Sequence, residues 1–281
     1  MTIAVFLMIL GAALVHAAWN ALVKADEDRL ALIKVMSSTQ FALSVCLVPF
    51  VAVPAPESWP YVVASPVLST GYMLFLTWAY QFGDLSHVYP FARGIAPLIV
   101  AIVSVWFLGE QLSHVGQIAI VLVSLGVASL ALARGSAGLR DPRPILFALG
   151  TGSFVAAYTL TDGVGARSAG TAHGYMVWIS LLTAVLIVGC VHWLQRGKRT
   201  AIGEGTWRAG VASGIMSYGS SWLVIWALTL APMALVSALR ETGIVFAVIF
   251  GVLFLGEQLS LLHLASITTT LIGTTILKLS R

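Results

Sequence analysis

The sequence predicts an all-α integral membrane protein with ten transmembrane helices in two inverted five-helix repeats. Three observations carry that reading. The 281-residue chain is 59% hydrophobic and 9% charged, with a mean hydropathy of +0.95, whereas soluble domains carry about 25% charged residues. Its apolar residues gather into ten runs close to the roughly 20 residues that span a bilayer. The six residues Leu108-Gly109-Glu110-Gln111-Leu112-Ser113 recur letter for letter as Leu255-Gly256-Glu257-Gln258-Leu259-Ser260.

The runs give the helices in order. The first covers 3–23. Small residues at Ala17 and Ala18 give it the look of a cleavable leader, but no Lys or Arg precedes it and it continues through Trp19 to Val23, so it reads as an uncleaved first helix. Four more follow at 30–53, 62–80, 87–108 and 114–133. The second set runs 145–163, 173–194, 209–230, 233–255 and 261–279. Connections are short. The longest, 134–144 and 195–208, are rich in Gly, Arg and Lys, and none can hold a soluble domain.

The hexapeptide sits in a longer self-match at an offset of 147 residues, from Leu108 to Leu255. Arg93 falls on Arg240, Ile102 on Ile249, Val105 on Val252, Phe107 on Phe254, Gly126 on Gly273 and Leu130 on Leu277. A fixed-period match marks a duplicated unit. The first unit is 1–134 and the second 144–281, joined by a linker at 135–143 with Gly135, Gly138 and Pro142 as helix breakers. An odd helix number starts the second copy on the opposite side of the membrane. The halves are then related by a pseudo-two-fold axis in the membrane plane, an architecture that supports alternating access to a midplane site.

Lys and Arg in short loops set orientation. One face receives Lys24, Arg29, Arg134, Arg140, Arg143, Arg196, Lys198, Arg199 and Arg208, with Lys34 close by; the other receives Arg167, Lys278 and Arg281. The first face is expected in the cytoplasm of a cell (inner) membrane, with both termini outside. The net charge of +4 is thus a topology signal, with no nucleic-acid partner implied. Cys46 and Cys190 lie in apolar runs and read as buried free thiols without disulfide or metal spacing.

Intramembrane polar residues are the candidates for function. Arg93 and Arg240 each sit about 10 Å into an apolar run at 1.5 Å per residue, where a charge must face a cavity, find a partner or snorkel. Guanidinium suits a carboxylate; the alternative is a structural ion pair or a carbonyl clamp at a helix break. Around Arg93 the stretch Tyr89-Pro90-Phe91-Ala92-Arg93-Gly94-Ile95-Ala96-Pro97 is weak as helix, and Gly243 follows Arg240 closely. Pro90, Gly94, Pro97 and Gly243 are therefore candidate hinges. Glu241 is either a proton-coupling carboxylate or a counter-ion for an arginine. In the first run His16, Trp19 and Asn20 share a helix face, and Tyr158-Thr159 stands where Trp19-Asn20 would recur. These residues either line a cavity or glue helices together. Tyr72, Trp78, Tyr89, Tyr218 and Trp222 complete a candidate aromatic lining. The repeated Gly-Glu-Gln-Leu-Ser reads as a structural turn in which Glu110 and Glu257 meet the positive start of the next helix.

A Trp-Asn near the end of the first helix and Leu-Gly-Glu-Gln-Leu-Ser between the fourth and fifth resemble the EamA-type repeat of the drug/metabolite transporter superfamily. The resemblance covers nearly the whole chain, with Tyr158-Thr159 as its departure in the second half. It implies ten helices, inverted repeats and transport of small organic solutes, and some members of similar size are exporters of amino acids, aromatic ones included.

The expected activity is secondary transport, exporting amphipathic metabolites such as amino acids. The partners are the lipid bilayer and a small-molecule substrate, with no cofactor and no metal; a monomer suffices. The competing readings are a proton-coupled multidrug efflux carrier, which needs an essential membrane carboxylate, and a passive channel, which needs a continuous polar lining. Enzyme and phosphate-loop motifs are absent from the sequence.

Overall fold

The computed structural model describes residues 1–82, 85–130, 142–194, 202–255 and 258–279, with side chains described outside 77–89, 131–145, 194–201, 255–257 and 280–281. Among the described residues the chain is helical and has no strand. The helices are α1 (Ile3–Ala25), α2 (Arg29–Leu47), α3 (Trp59–Phe82), α4 (Leu85–Trp106), α5 (His114–Ser129), α6 (Pro142–Ser168), α7 (Ala172–Leu194), α8 (Glu204–Leu230), α9 (Met233–Arg240), α10 (Gly243–Leu255) and α11 (Leu261–Leu279).

Among the described residues, six spans are long and apolar enough to cross a membrane: Ile3–Ala25, Arg29–Phe50, Ala172–Trp193, Glu204–Leu230, Met233–Phe254 and Leu261–Leu279. Pro90–Trp106 and His114–Ser129 are shorter apolar helices. The protein is a multi-pass membrane protein. Its exposed side chains include Ile3, Phe50, Val53, Trp106, Phe107, Leu253, Phe254 and Leu261, an apolar outer belt that only lipid can satisfy. Cys46 lies in this exposed surface and Cys190 is half-buried. The expectation of a buried thiol fails for Cys46 because an apolar run in a bilayer has an outward face.

Local chemistry explains the helix ends. The Thr2 hydroxyl accepts the Val5 N–H at 3.4 Å, Asp28 accepts Ala31 N–H at 3.0 Å and Ser113 accepts Gly116 N–H at 3.1 Å, each satisfying a donor the helix leaves free. The run expected at 30–53 stops as α-helix at Leu47 and tightens into a 3-10 turn over Val48–Phe50. Pro49 lacks an amide donor and disfavours helix in the residue before it. The runs expected at 145–163 and 209–230 are longer, reaching Ser168 and starting at Glu204. The linker at 135–143 lies mostly outside the described residues.

Helix packing follows a reciprocal pattern. α1 packs on α8 and α3 on α6; α2 packs on α8 and α3 on α7; α4 packs on α6, while α1 packs on α9 and α10. Relabelling the first five helices as the later ones exchanges the members of each pairing. α2 with α7, α5 with α11 and α4 with α9 meet their own counterparts. Glycine makes the α5–α11 approach close. A methyl at Gly126 would stand 2.9 Å from the Thr270 amide nitrogen, and one at Gly273 2.9 Å from that of Val123. Ser266 on α11 donates to the Gly126 carbonyl at 2.5 Å. The two glycines matched by the repeat therefore sit in one interface.

Candidate functional site

The ninth apolar run is broken. α9 ends at Arg240, Glu241 and Thr242 form a turn, and α10 restarts at Gly243. The fourth run is continuous through Pro90, Gly94 and Pro97. Proline and glycine in α4 thus do not interrupt it. Gly94 serves packing, since a methyl there would meet the Ser124 carbonyl oxygen of α5 at 2.7 Å. Of the two helix interruptions expected, one is present, as a turn immediately before Gly243.

Across this break the two halves meet through charge. Arg93 Nε donates to Glu241 Oε2 at 2.9 Å, and the residues are 7% and 3% exposed. Two ions removed from water are tolerated because each cancels the other. Of the two readings of Glu241, this geometry makes it the counter-ion of Arg93 and not of its neighbour Arg240.

Arg240 is half-buried, and among the described residues it has no hydrogen bond and no ion pair within 4.0 Å. Asp162 escaped the sequence reading because the run was ended at Gly163, which put this carboxylate at a helix terminus. α6 in fact continues to Ser168, and Asp162 is 8% exposed. It accepts hydrogen bonds from the Tyr175 hydroxyl of α7, at 3.3 Å, and from Ser65 of α3. Gly165 makes this possible, because the Tyr175 hydroxyl occupies the space a side chain at 165 would need. A lone Asp within seven residues of the end of an apolar run was the signal available.

The remaining candidates divide into two groups. His16 and Trp19 stack edge-on with centroids 4.9 Å apart, and Trp19 Nε1 is buried with no hydrogen-bond partner among the described residues. Asn20 donates to the His16 carbonyl at 2.7 Å and Thr159 to that of Val155 at 2.7 Å. Both polar groups are thus spent on their own helices, four residues back, in each half. Tyr72 and Tyr158 meet edge-on at 6.1 Å across α3 and α6. Tyr218 accepts from Ser44 at 3.4 Å and stacks on Trp222. Trp222 Nε1 donates to His173 Nδ1 at 2.6 Å, at the start of α7. The side chains of Trp78 and Tyr89 lie outside those described.

Residues 142–279 match the EamA-like transporter family model. This second half of the chain belongs to the EamA-like transporter family. No curated protein matches it. A solved crystal structure shares the fold at a TM-score of 0.79 and 18% identity, covering 98% of this chain and 97% of the other. The EamA unit thus begins at α6 and includes Asp162, Arg240 and Glu241.

The EamA-type loop at Gly109–Ser113 is where one further expectation is corrected. Gly109 has φ +69° and ends the fourth helix as expected. Glu110, however, does not cap the helix that follows it, a role taken by Ser113. Its two carboxylate oxygens accept the Met233 amide at 3.0 and 2.9 Å, at the start of α9. Arg167 of α6 pairs with Glu110 at 2.8 Å and donates to the carbonyls of Leu228 and Ala231 at 2.8 Å each. The carboxylate still meets a helix N-terminus, but in the other half of the chain, and ties α4, α6, α8 and α9 together at one face. Glu257, its repeat, lies outside the described residues.

Proposed function

We propose that this protein is a secondary transporter that exports small amphipathic metabolites, with amino acids, aromatic ones included, as the substrate class. Solute binds near the midplane between two inverted five-helix repeats, and the two faces open alternately. The single observation behind this reading is the buried Arg93–Glu241 pair at the turn between α9 and α10, next in the chain to the half-buried Arg240. A turn inside a membrane span at a repeat interface sets a positive side chain where a carboxylate needs it.

The reciprocal packing of α1 on α8 and α3 on α6 supports the inverted pair, with the α9–α10 break counted as one span to make ten. The face carrying Lys24, Arg29 and Arg208 is placed in the cytoplasm by the positive-inside rule. The Glu110–Arg167 cluster then lies on the outer face and closes it in this conformation.

Proton-coupled drug efflux through Glu241 is disfavoured by its engagement with Arg93. The test is counterflow in liposomes holding this protein alone, loaded with unlabelled tryptophan, phenylalanine, threonine or methionine. Saturable uptake of the labelled partner supports the carrier. No exchange across the four, in protein that elutes as one folded species, contradicts the amino-acid reading.

A further inference from the structure

Arg93 matches Arg240 in the repeat, so Gly94, Ile95 and Ala96 match Glu241, Thr242 and Gly243, and Pro97 matches Ile244. The two matched stretches differ in shape. In the ninth run the backbone is wound tighter than an α-helix. The amides of Glu241, Thr242, Ile244 and Val245 donate to carbonyls three residues back, those of Ala238, Leu239, Glu241 and Thr242, at 3.1, 3.2, 3.0 and 2.9 Å. A short tightened stretch inside a helical run is a common hinge. In the fourth run α4 is continuous through 93–97. It carries a flaw there. Pro97 has no amide, so the Arg93 carbonyl lacks the donor four residues on that an α-helix provides.

Packing explains which stretch stays helical. Gly94 lets α4 lie on α5, where a methyl would stand 2.7 Å from the Ser124 carbonyl oxygen. Gly152 brings α6 equally close on the other side, a methyl there lying 2.8 Å from the Ala92 carbonyl oxygen. Ala92 and Ala96 are buried between these neighbours, so α4 is clasped across its flaw. Its counterpart α10 packs chiefly on α1 and only slightly on α11. A methyl at Gly243 would meet the Ala13 carbonyl oxygen of α1 at 3.3 Å. One repeat therefore holds its fourth helix unbroken against its fifth, while the other holds it broken and leaning on the first helix of the opposite repeat. The 2.9 Å contact of Arg93 with Glu241 joins the two stretches directly.

We propose that the two stretches exchange shape when the protein turns from one face to the other. α4 breaks at Arg93–Gly94, where Pro97 leaves a carbonyl without its donor, as the ninth run closes into continuous helix through Glu241 and Thr242. In an inverted pair, each half displays the shape that the other takes in the opposite state. This rests on the alternating-access reading above but not on the choice of solute. Pro97 then keeps α4 able to break, and Gly94 keeps it seated on α5 until it does.

Three substitutions test the exchange. Pro97→Ala gives the Arg93 carbonyl a donor and favours a continuous α4. Ile244→Pro puts a proline in the first turn of α10, which the present break tolerates and a continuous ninth run would not. Both hold the present shape by opposite chemistry. Gly94→Ala pushes α4 off α5 and favours the exchange. The parent carries Ala231→Cys, at the face closed by Glu110 and Arg167, together with Cys46→Ala and Cys190→Ala. It is labelled with an impermeant maleimide in lipid nanodiscs, which leave both faces accessible. Pro97→Ala and Ile244→Pro should each slow labelling at least threefold, and Gly94→Ala should speed it at least threefold. Packing that is merely loosened speeds labelling in all three, and that result overturns the exchange. So do three unchanged rates, or a parent that is never labelled. If Gly94→Ala does not fold, the other two variants decide. Saturable counterflow with unchanged labelling rates keeps the carrier and removes the exchange. Rates that move as stated, with no counterflow of the four amino acids, support the exchange and contradict the amino-acid reading.

Discussion

Arg93 on α4 and Glu241 at the α9–α10 break form a buried ion pair with Nε and Oε2 2.9 Å apart, joining the two halves of the chain inside the bundle. Removing one partner leaves the other charged and unpaired, at a cost of about 3–5 kcal/mol. Arg93→Met and Glu241→Gln should each lower the melting temperature in detergent markedly. The double variant should be more stable than the Arg93→Met protein. Strictly additive losses in this cycle would contradict a direct pair.

Glu110 performs two tasks, accepting the Met233 amide and pairing with Arg167. Glu110→Gln removes the charge but keeps acceptor capacity for the cap. Glu110→Ala removes both, with about 1 kcal/mol more at stake for a lost cap. If the cluster closes one face, a cysteine at Ala231 should react faster with an impermeant maleimide in the alanine variant than in the parent, with the glutamine variant between them. Equal labelling rates in all three would remove the closing role.

Gly126 faces Thr270 so closely that a methyl would stand 2.9 Å from its backbone nitrogen. Overpacking of this kind costs about 1–3 kcal/mol. Gly126→Ala should therefore destabilise the protein. Gly11, which meets nothing within 4 Å, should accept alanine with no loss. Equal melting temperatures for the two variants would mean that α5 and α11 do not approach so closely.

Much of the fold was legible because a bilayer imposes a simple rule, about 20 apolar residues per span, and the chain repeats itself. The hexapeptide at Leu108 located the turn after the fourth helix, and the Arg93–Arg240 match located the residues around which the site forms. What could not be read is pairing. Sequence spacing placed Glu110 at the start of its own next helix, whereas the donor it serves is Met233, 123 residues away. Proline marked α4 as the weak helix, yet the break falls in the ninth run, just before Gly243. Asp162 was lost to a boundary error of five residues, from Gly163 to Ser168, which moved a carboxylate from the interior to an apparent helix end. The hydrogen bond of Trp222 to His173, 49 residues away at the start of α7, was likewise not visible in its position in α8. The partners of Glu110 and Trp222 are contacts between helices distant in sequence, which periodicity does not encode.

Arg240 carries the central claim, and its isolation makes the test clean. A half-buried arginine with no hydrogen bond or ion pair among the described residues can be removed at a cost within about 0.5 kcal/mol of zero. A charged hydrogen bond to a substrate carboxylate, by contrast, is worth about 1.5–3 kcal/mol, or roughly ten- to a hundredfold in affinity. The deciding measurement is the half-saturation concentration for amino-acid counterflow by the wild type and Arg240→Ala, each reconstituted alone and matched for melting temperature. A rise of at least tenfold with the melting temperature unchanged is the predicted result. Unchanged saturation and flux in the alanine variant would contradict a substrate site at the α9–α10 break.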